Sequence, residues 1–477
     1  MHAPRFNIML PMPRFFLATA VVGIFSGTIT LAERASEADI VTKLPDLGLT
    51  NAAQRGLTEQ GNKKGGQTAA ASNVNYDEAR IPAYTLPDPL LGSDGQKISD
   101  ATAWRARRRP ELLELFRSQM HGRSPARPAA MSFETTSTEP NALNGLATRK
   151  EITVHFSREP DGATVHLLLY LPNAATKPAP VFLGVNFDGN HTIVDDPDIK
   201  LIEQWTWDNK AKRESFSRPA NETRGRNTAN WSVELLLKRG YAVATIPRAD
   251  IEPDYPEGWR HGLRGYFLRQ SGRTEFAPDD WGAIAAWAWG LSRALDYLET
   301  DRAVDAKRVA VFGHSRMGKA ALWAGASDER FAIVISNNSG EGGAALARRW
   351  FGETTTIINA NFPHWFCRNF KIYSGNEAKL PFDQHELIAL TAPRPVYVAS
   401  GSGDKWADPR GEFLAAKNAE PVYRLFDKAG LGVDDQPPVN HPVGDFIGYH
   451  LRDGPHDLTP YDWENYLAFA DRHFARK

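Results

Sequence analysis

The chain has 477 residues, is 42% hydrophobic, and sets 56 basic against 57 acidic residues for a formal charge of -1. So even a balance leaves no electrostatic footprint for nucleic acid, while the apolar share suffices for a sizeable core. A single cysteine, Cys367, excludes an internal disulfide and a cysteine-based zinc site, so burial has to supply the stability.

Arg5 and Arg14 precede an apolar run from Phe15 to Leu31 that ends in small residues near Ala32. This predicts a signal peptide over residues 1–32 and a secreted or periplasmic product. Gly23, Ser26, Gly27, Thr28 and Thr30 break the run, which is short for a span, so no stable membrane partner is expected. Residues 33–75 are polar and rich in Gly, Gln, Lys and Asn, as in Gln60-Gly61-Asn62-Lys63-Lys64-Gly65. Such a segment buries too little surface to offset its ordering entropy and reads as a disordered linker. Residues 76–477 then form one catalytic domain, expected as a monomer.

Within that domain the arginine cluster Trp104-Arg105-Ala106-Arg107-Arg108-Arg109-Pro110 reads as a solvated helix start. Strands are expected at 151–156, 164–171, 180–186, 241–246, 308–312, 331–336, 395–400 and 422–426, from runs of β-branched and aromatic residues. The first two alternate and flank Pro160-Asp161-Gly162, which predicts an antiparallel hairpin. Later runs are continuously apolar, as in strands covered on both faces. Helices are expected at 279–299, where Trp281, Ile284, Ala288, Leu291, Leu295 and Leu298 share a face, and at 316–325. The alternation predicts an α/β fold: a mostly parallel central sheet with helices on both faces and an antiparallel N-terminal hairpin. The long stretch 187–232 between two strands is expected to form a rim beside a cleft.

Gly313-His314-Ser315-Arg316-Met317-Gly318-Lys319 follows a strand and opens a helix. A serine on such a turn projects its hydroxyl above the sheet edge, where the helix amides gather. The second glycine is one residue late for Gly-x-Ser-x-Gly, and a serine that only caps the helix is the alternative. A nucleophilic serine needs a base and an orienting carboxylate, in α/β-hydrolases in the order serine, acid, histidine. Asp404 follows the 395–400 strand, and His456 lies in a Gly-Pro-flanked loop before the last helix. Asp408 competes as the acid, although Asp408-Pro409 reads more simply as a turn. His450 is expected to pack or hydrogen-bond behind the site, and His385 to pair with Glu386 on a helix surface. No histidine or carboxylate spacing suggests a metal site, and no cofactor is implied.

These residues resemble the bacterial glucuronoyl methylesterases of carbohydrate esterase family 15, in the α/β-hydrolase superfamily. The resemblance rests on the serine motif with its displaced glycine and on Tyr84-Thr85-Leu86-Pro87-Asp88-Pro89, Asn186-Phe187-Asp188-Gly189-Asn190-His191-Thr192, Ser339-Gly340-Glu341-Gly342-Gly343-Ala344, Phe362-Pro363-His364-Trp365-Phe366-Cys367 and Gly454-Pro455-His456. It implies a hydrolase acting on esters of 4-O-methyl-D-glucuronate in glucuronoxylan, including lignin-carbohydrate esters. By the same resemblance Ser315 is the nucleophile, His456 the base and Arg316 an oxyanion support. Lys319 and Glu353 hold sugar hydroxyls, and Trp406 flanks the sugar. Many members carry a glutamate where this chain has Asn338; some bacterial members place an aspartate at the position of Asp404. Glu341 is the alternative carboxylate, ranked below Asp404 because the chain order of the fold favours the latter. Two rivals remain: an acetyl xylan esterase or other exported carboxylesterase, and an inactive carbohydrate-binding homologue, which Asn338 keeps open.

Overall fold

The computed structural model describes residues 74–475 except 160, so the signal segment and all but the last two linker residues lie outside the described part. The strands are β1 (Ser132–Ala142), β2 (Ala147–His155), β3 (Thr164–Pro172), β4 (Ala179–Asn186), β5 (Gln204–Asp208), β6 (Arg213–Ser217), β7 (Ala242–Pro247), β8 (Val304–His314), β9 (Ile333–Asn337), β10 (Val396–Gly401), β11 (Val443–Gly444) and β12 (Ile447–Arg452). Ten of them form one sheet in the order β1-β2-β3-β7-β4-β8-β9-β10-β12-β11, and β5 and β6 make a separate hairpin. From β7 to β12 neighbouring strands run parallel; β1, β2 and β3 at one edge and β11 at the other are antiparallel.

The parallel strands are apolar throughout because each face meets its own core. In β8, Val309 and Val311 point into one core cluster while Ala310 and Phe312 point into the other. β10 repeats this with Val396 and Val398 opposed to Tyr397 and Ala399. Helices Ala283–Leu298, Arg316–Ser327 and Pro409–Arg424 supply the first cluster; Val233–Lys238 and Pro460–Ala475 supply the second. Every residue of Ala283–Leu298 is buried. Its Trp287 donates from Nε1 to the Glu252 carbonyl over 3.0 Å, and truncating so large a ring to alanine costs about 3–5 kcal/mol.

The expected hairpin is β2-β3, in register from Ala147↔Pro172 to His155↔Thr164. Four expectations are corrected. Residues 422–426 are not a strand: Val422 and Tyr423 lie on the buried side of helix Pro409–Arg424, and a short apolar run cannot separate the two states. The arginine cluster is not simply solvated, since Arg108 is buried and pairs with Glu386 at 2.9 Å, and Arg109 donates to the Ala326 carbonyl at 2.8 Å. His385 is buried rather than surface-paired, with Nε2 2.9 Å from the Pro87 carbonyl. The helix expected from Asp279 starts after Gly282, whose absent Cβ lets the Trp365 backbone approach.

Five strands, β1, β5, β6, β11 and β12, escaped the reading. β1 is threonine-rich and mostly exposed at the sheet edge, and β12 interrupts its apolar residues with Gly448, His450 and Arg452.

Candidate active site

In an open parallel sheet the strand ends that share one side form the natural crevice. Here β8, β9, β10 and β12 are adjacent, and their carboxyl ends lead into Ser315, Asn338, Asp404 and His456 respectively. Ser315 adopts φ 57° and ψ -128°, a conformation that costs a non-glycine residue about 1–3 kcal/mol. Its amide donates to the Asn337 carbonyl over 2.9 Å, which ties the turn to the next strand. The Ser315 side chain makes no capping bond to helix Arg316–Ser327, so the cap alternative does not describe it. A Cβ at Gly313 would stand 2.0 Å from the Met317 carbonyl oxygen, and one at Gly318 would stand 3.0 Å from Ser339 Cβ. The displaced glycine therefore lets the helix start press against the turn after β9.

His456 Nδ1 lies 2.6 Å from Asp404 Oδ2. Asn338 Nδ2 donates to the same oxygen at 2.8 Å. Burial by itself raises the Asp404 carboxyl, but the His456 imidazole and the Asn338 amide hold it below the ordinary carboxylate value. The His456 ring also leans on His314, with centroids 4.5 Å apart. Burial pushes the His314 imidazole down to about 3, and its Nδ1 lies 2.6 Å from Asn337 Oδ1. The loop bearing His456 is held by Arg452, which donates to the Asp453, Pro455 and Asp457 carbonyls at 2.8, 2.7 and 3.1 Å.

The other carboxylates weighed as the acid are engaged elsewhere. Glu341 accepts from Thr355 Oγ1 at 2.6 Å, and burial raises its carboxyl well above the ordinary value. Asp408 caps helix Pro409–Arg424 through the Gly411 amide and pairs with Arg349 at 2.7 Å. His450 bridges Asp462 Oδ1 at 2.9 Å and the Tyr397 hydroxyl at 3.0 Å, the rear position expected for it.

Arg316 opens the helix after the serine. Its guanidinium pairs with the buried Asp254 and lies 4.8 Å over the Trp365 ring and 5.3 Å over Phe362. Lys319 is 4% exposed, and its ammonium donates to the Ser339 and Glu341 carbonyls at 2.5 Å each. Glu353 lies 3.9 Å from that ammonium. Of the three Lys319 donors, only one is left for a ligand or for Glu353. Burial raises the Glu353 carboxyl, while Lys319, Arg316 and His456 pull it back. The Glu353 amide donates to the Trp406 carbonyl at 2.9 Å, which joins the Glu353 turn to the one after Asp404. Trp406 itself is half-buried.

Sequence reading missed Asp254, Arg248, Arg452 and Tyr76. The phenol of Tyr76 is raised by burial and then by the charges of Asp404 and Glu353, which sets it beside the site. His364 and Trp365 lie in the family-like stretch Phe362–Cys367, but no spacing ties them to Asp254, more than a hundred residues earlier. The 187–232 stretch abuts the site on two sides: Trp207 lies 5.9 Å from the Tyr255 ring, and Asn230 Nδ2 donates to Asp457 Oδ1 at 2.8 Å. Among the described residues no group of three or more His, Cys, Asp or Glu side chains is placed to hold a metal.

Comparison with known proteins identifies the family. The family model described as "Glucuronyl esterase, fungi" matches residues 273–427. The chain is 50% identical over 410 residues to carbohydrate esterase MZ0003 from an unknown prokaryotic organism, covering 85% of this chain and 94% of that one. Among solved structures it is similar to a glucuronoyl esterase from Solibacter usitatus, with TM-score 0.79 and 52% identity over 83% of this chain and all of the other. A promiscuous family 15 esterase from a marine bacterial metagenome gives TM-score 0.78 and 49% identity over 84% of this chain and all of the other. The chain belongs to carbohydrate esterase family 15, the glucuronoyl esterases.

Proposed function

We propose that this chain is a serine esterase that hydrolyses esters at the carboxyl carbon of D-glucuronate and its 4-O-methyl ether, carried on glucuronoxylan and including lignin-carbohydrate esters. The observation that carries the reading is the 2.6 Å contact of His456 with a buried aspartate, beside a serine held at positive φ above the same sheet edge. In this scheme His456 takes the Ser315 proton as Oγ attacks the ester carbon. The imidazolium then returns a proton to the departing alcohol, and water repeats the sequence on the acyl-serine. Asp404 stabilises the imidazolium and fixes its tautomer. The helix amides and Arg316 face the oxyanion of each tetrahedral intermediate, in a partly dry pocket where one such donor is worth roughly 3–4 kcal/mol. Lys319, Glu353 and Trp406 line the sugar side. We further place the enzyme outside the cytoplasm, with residues 1–32 as a removed signal peptide and 33–75 as a linker; among the described residues no helix is long and apolar enough to cross a membrane.

Rates on methyl and benzyl glucuronate, set against acetylated xylan, test the substrate. Faster deacetylation would replace this reading with an acetyl xylan esterase. A broader esterase is the second reading, favoured by the relative described as promiscuous, and comparable rates on simple aryl esters would support it. Ser315→Ala should abolish turnover; a wild-type protein as inert as this variant, yet binding xylan fragments, would instead be a silent carbohydrate-binding homologue.

A further inference from the structure

We infer that Asp254 is the positioning residue for the Arg316 guanidinium, and that Arg248 is the second cation that leaves this part-buried cluster with a net positive charge beside the site. The inference rests on the oxyanion role proposed above for Arg316. Asp254 follows β7 and helix Arg248–Ile251, two strands away from the serine turn in the sheet. Four donors from three parts of the chain converge on its carboxylate. Arg316 and Arg248 both reach Oδ2, Arg248 at 2.6 Å; His364 Nε2 and Trp365 Nε1 reach Oδ1 at 3.0 and 2.8 Å. The segment bearing Asp254 is itself clamped. Glu252 just before it pairs with Arg264 at 2.9 Å and accepts from Trp287 through its carbonyl, and a Cβ on Gly258 would stand 2.1 Å from the Pro253 carbonyl oxygen. With Phe362 and Trp365 under its plane, the Arg316 group has one supported orientation.

The charges explain why one carboxylate takes two guanidiniums. Asp254 with Arg316 alone would form a neutral pair, and a neutral pair stabilises a developing oxyanion poorly. Arg248 restores one net positive charge among the groups on the Asp254 carboxylate, with Asp188 and Arg226 beyond it paired to each other at 2.9 Å, and burial pushes the His364 imidazole away from its charged form. Breaking a buried pair by removing one partner strands the other charge, so Asp254 also holds two cations in place.

The experiment compares kcat, KM and melting temperature for Arg316→Ala, Asp254→Asn, Arg248→Gln and the double variant Asp254→Asn with Arg316→Ala, on benzyl glucuronate. Arg316→Ala should lower kcat roughly 100-fold. Asp254→Asn should lower kcat by roughly tenfold or more with KM nearly unchanged, and by less than about twofold in the Arg316→Ala background, because residues acting as one unit are not additive. Losses that multiply across the two backgrounds would overturn the inference, as would a folded Asp254→Asn with wild-type kcat. Where Asp254→Asn does not fold, Arg248→Gln decides, since it leaves three donors on Asp254. A lowered kcat at unchanged KM supports the charge argument, and a wild-type kcat overturns it. An Arg316→Ala enzyme with full activity would instead remove the oxyanion role itself.

Discussion

Asn338 donates its side-chain amide to Asp404 across 2.8 Å, at the turn where β9 ends. An asparagine there, read from the sequence, left open whether any carboxylate served the histidine. In the fold it acts as a donor to the carboxylate that does. Asp404→Asn keeps the shape and removes the charge, so kcat on benzyl glucuronate should fall by roughly 10³–10⁴. Glu341→Gln keeps an acceptor for Thr355 and should stay within about threefold of wild type. The opposite ranking would move the acid to Glu341.

The positive φ at Ser315 has an energetic signature separate from chemistry. Alanine at this position keeps the strained backbone, whereas glycine adopts φ 57° without a Cβ clash. Ser315→Gly should therefore unfold at higher urea than Ser315→Ala, by about 1 kcal/mol, with both enzymes inactive. Equal midpoints would mean that the turn stores no strain.

Lys319 does structural work before any sugar arrives. Lys319→Met would leave the Ser339 and Glu341 carbonyls without their donor and Glu353 without its cation. A loss of about 3 kcal/mol is expected, read as a lower urea midpoint at unchanged slope. A variant of wild-type stability but raised KM would assign Lys319 to the substrate alone.

Stability should pass through a broad maximum between about pH 4.5 and 6.5. His121 stacks on Trp323 with neither ring nitrogen bonded, and burial pushes its imidazole down from 6.5 to about 3. The unfolded chain binds the extra proton in that window, so this contribution is complete above 6.5 and is lost as pH falls toward 3. Glu412 is the reverse case: burial raises its carboxyl from 4.5 to about 8, so the folded chain holds the proton and stability declines as pH rises through that range. Urea midpoints against pH should show a flattened acid limb in His121→Phe and a flattened alkaline limb in Glu412→Gln. An unchanged acid limb in His121→Phe would exclude His121 as its cause.

Much of this molecule was legible in one dimension. The strand-turn-helix around Ser315, the hairpin β2-β3 and the apolar central strands all follow from local periodicity and turn chemistry. The polar edge strand β1 and the run at 422–426, which begins as the last turn of helix Pro409–Arg424, misled the reading, because burial pattern rather than composition decides such segments.

The amino-acid order alone determined which residue types stand at the strand ends: a serine between tight glycines, an aspartate after β10, and a histidine in a Gly-Pro loop. These signals are local, since each residue is constrained by its own turn. Only the tertiary structure decided that Asp404 rather than Glu341 touches His456, that Asn338 supports it, and that Asp254 anchors Arg316. Those partners lie 52 to 66 residues apart, and a hydrogen bond between them leaves no periodicity for a sequence to carry. It exists only once adjacent strands and packed helices have brought the side chains within about 3 Å.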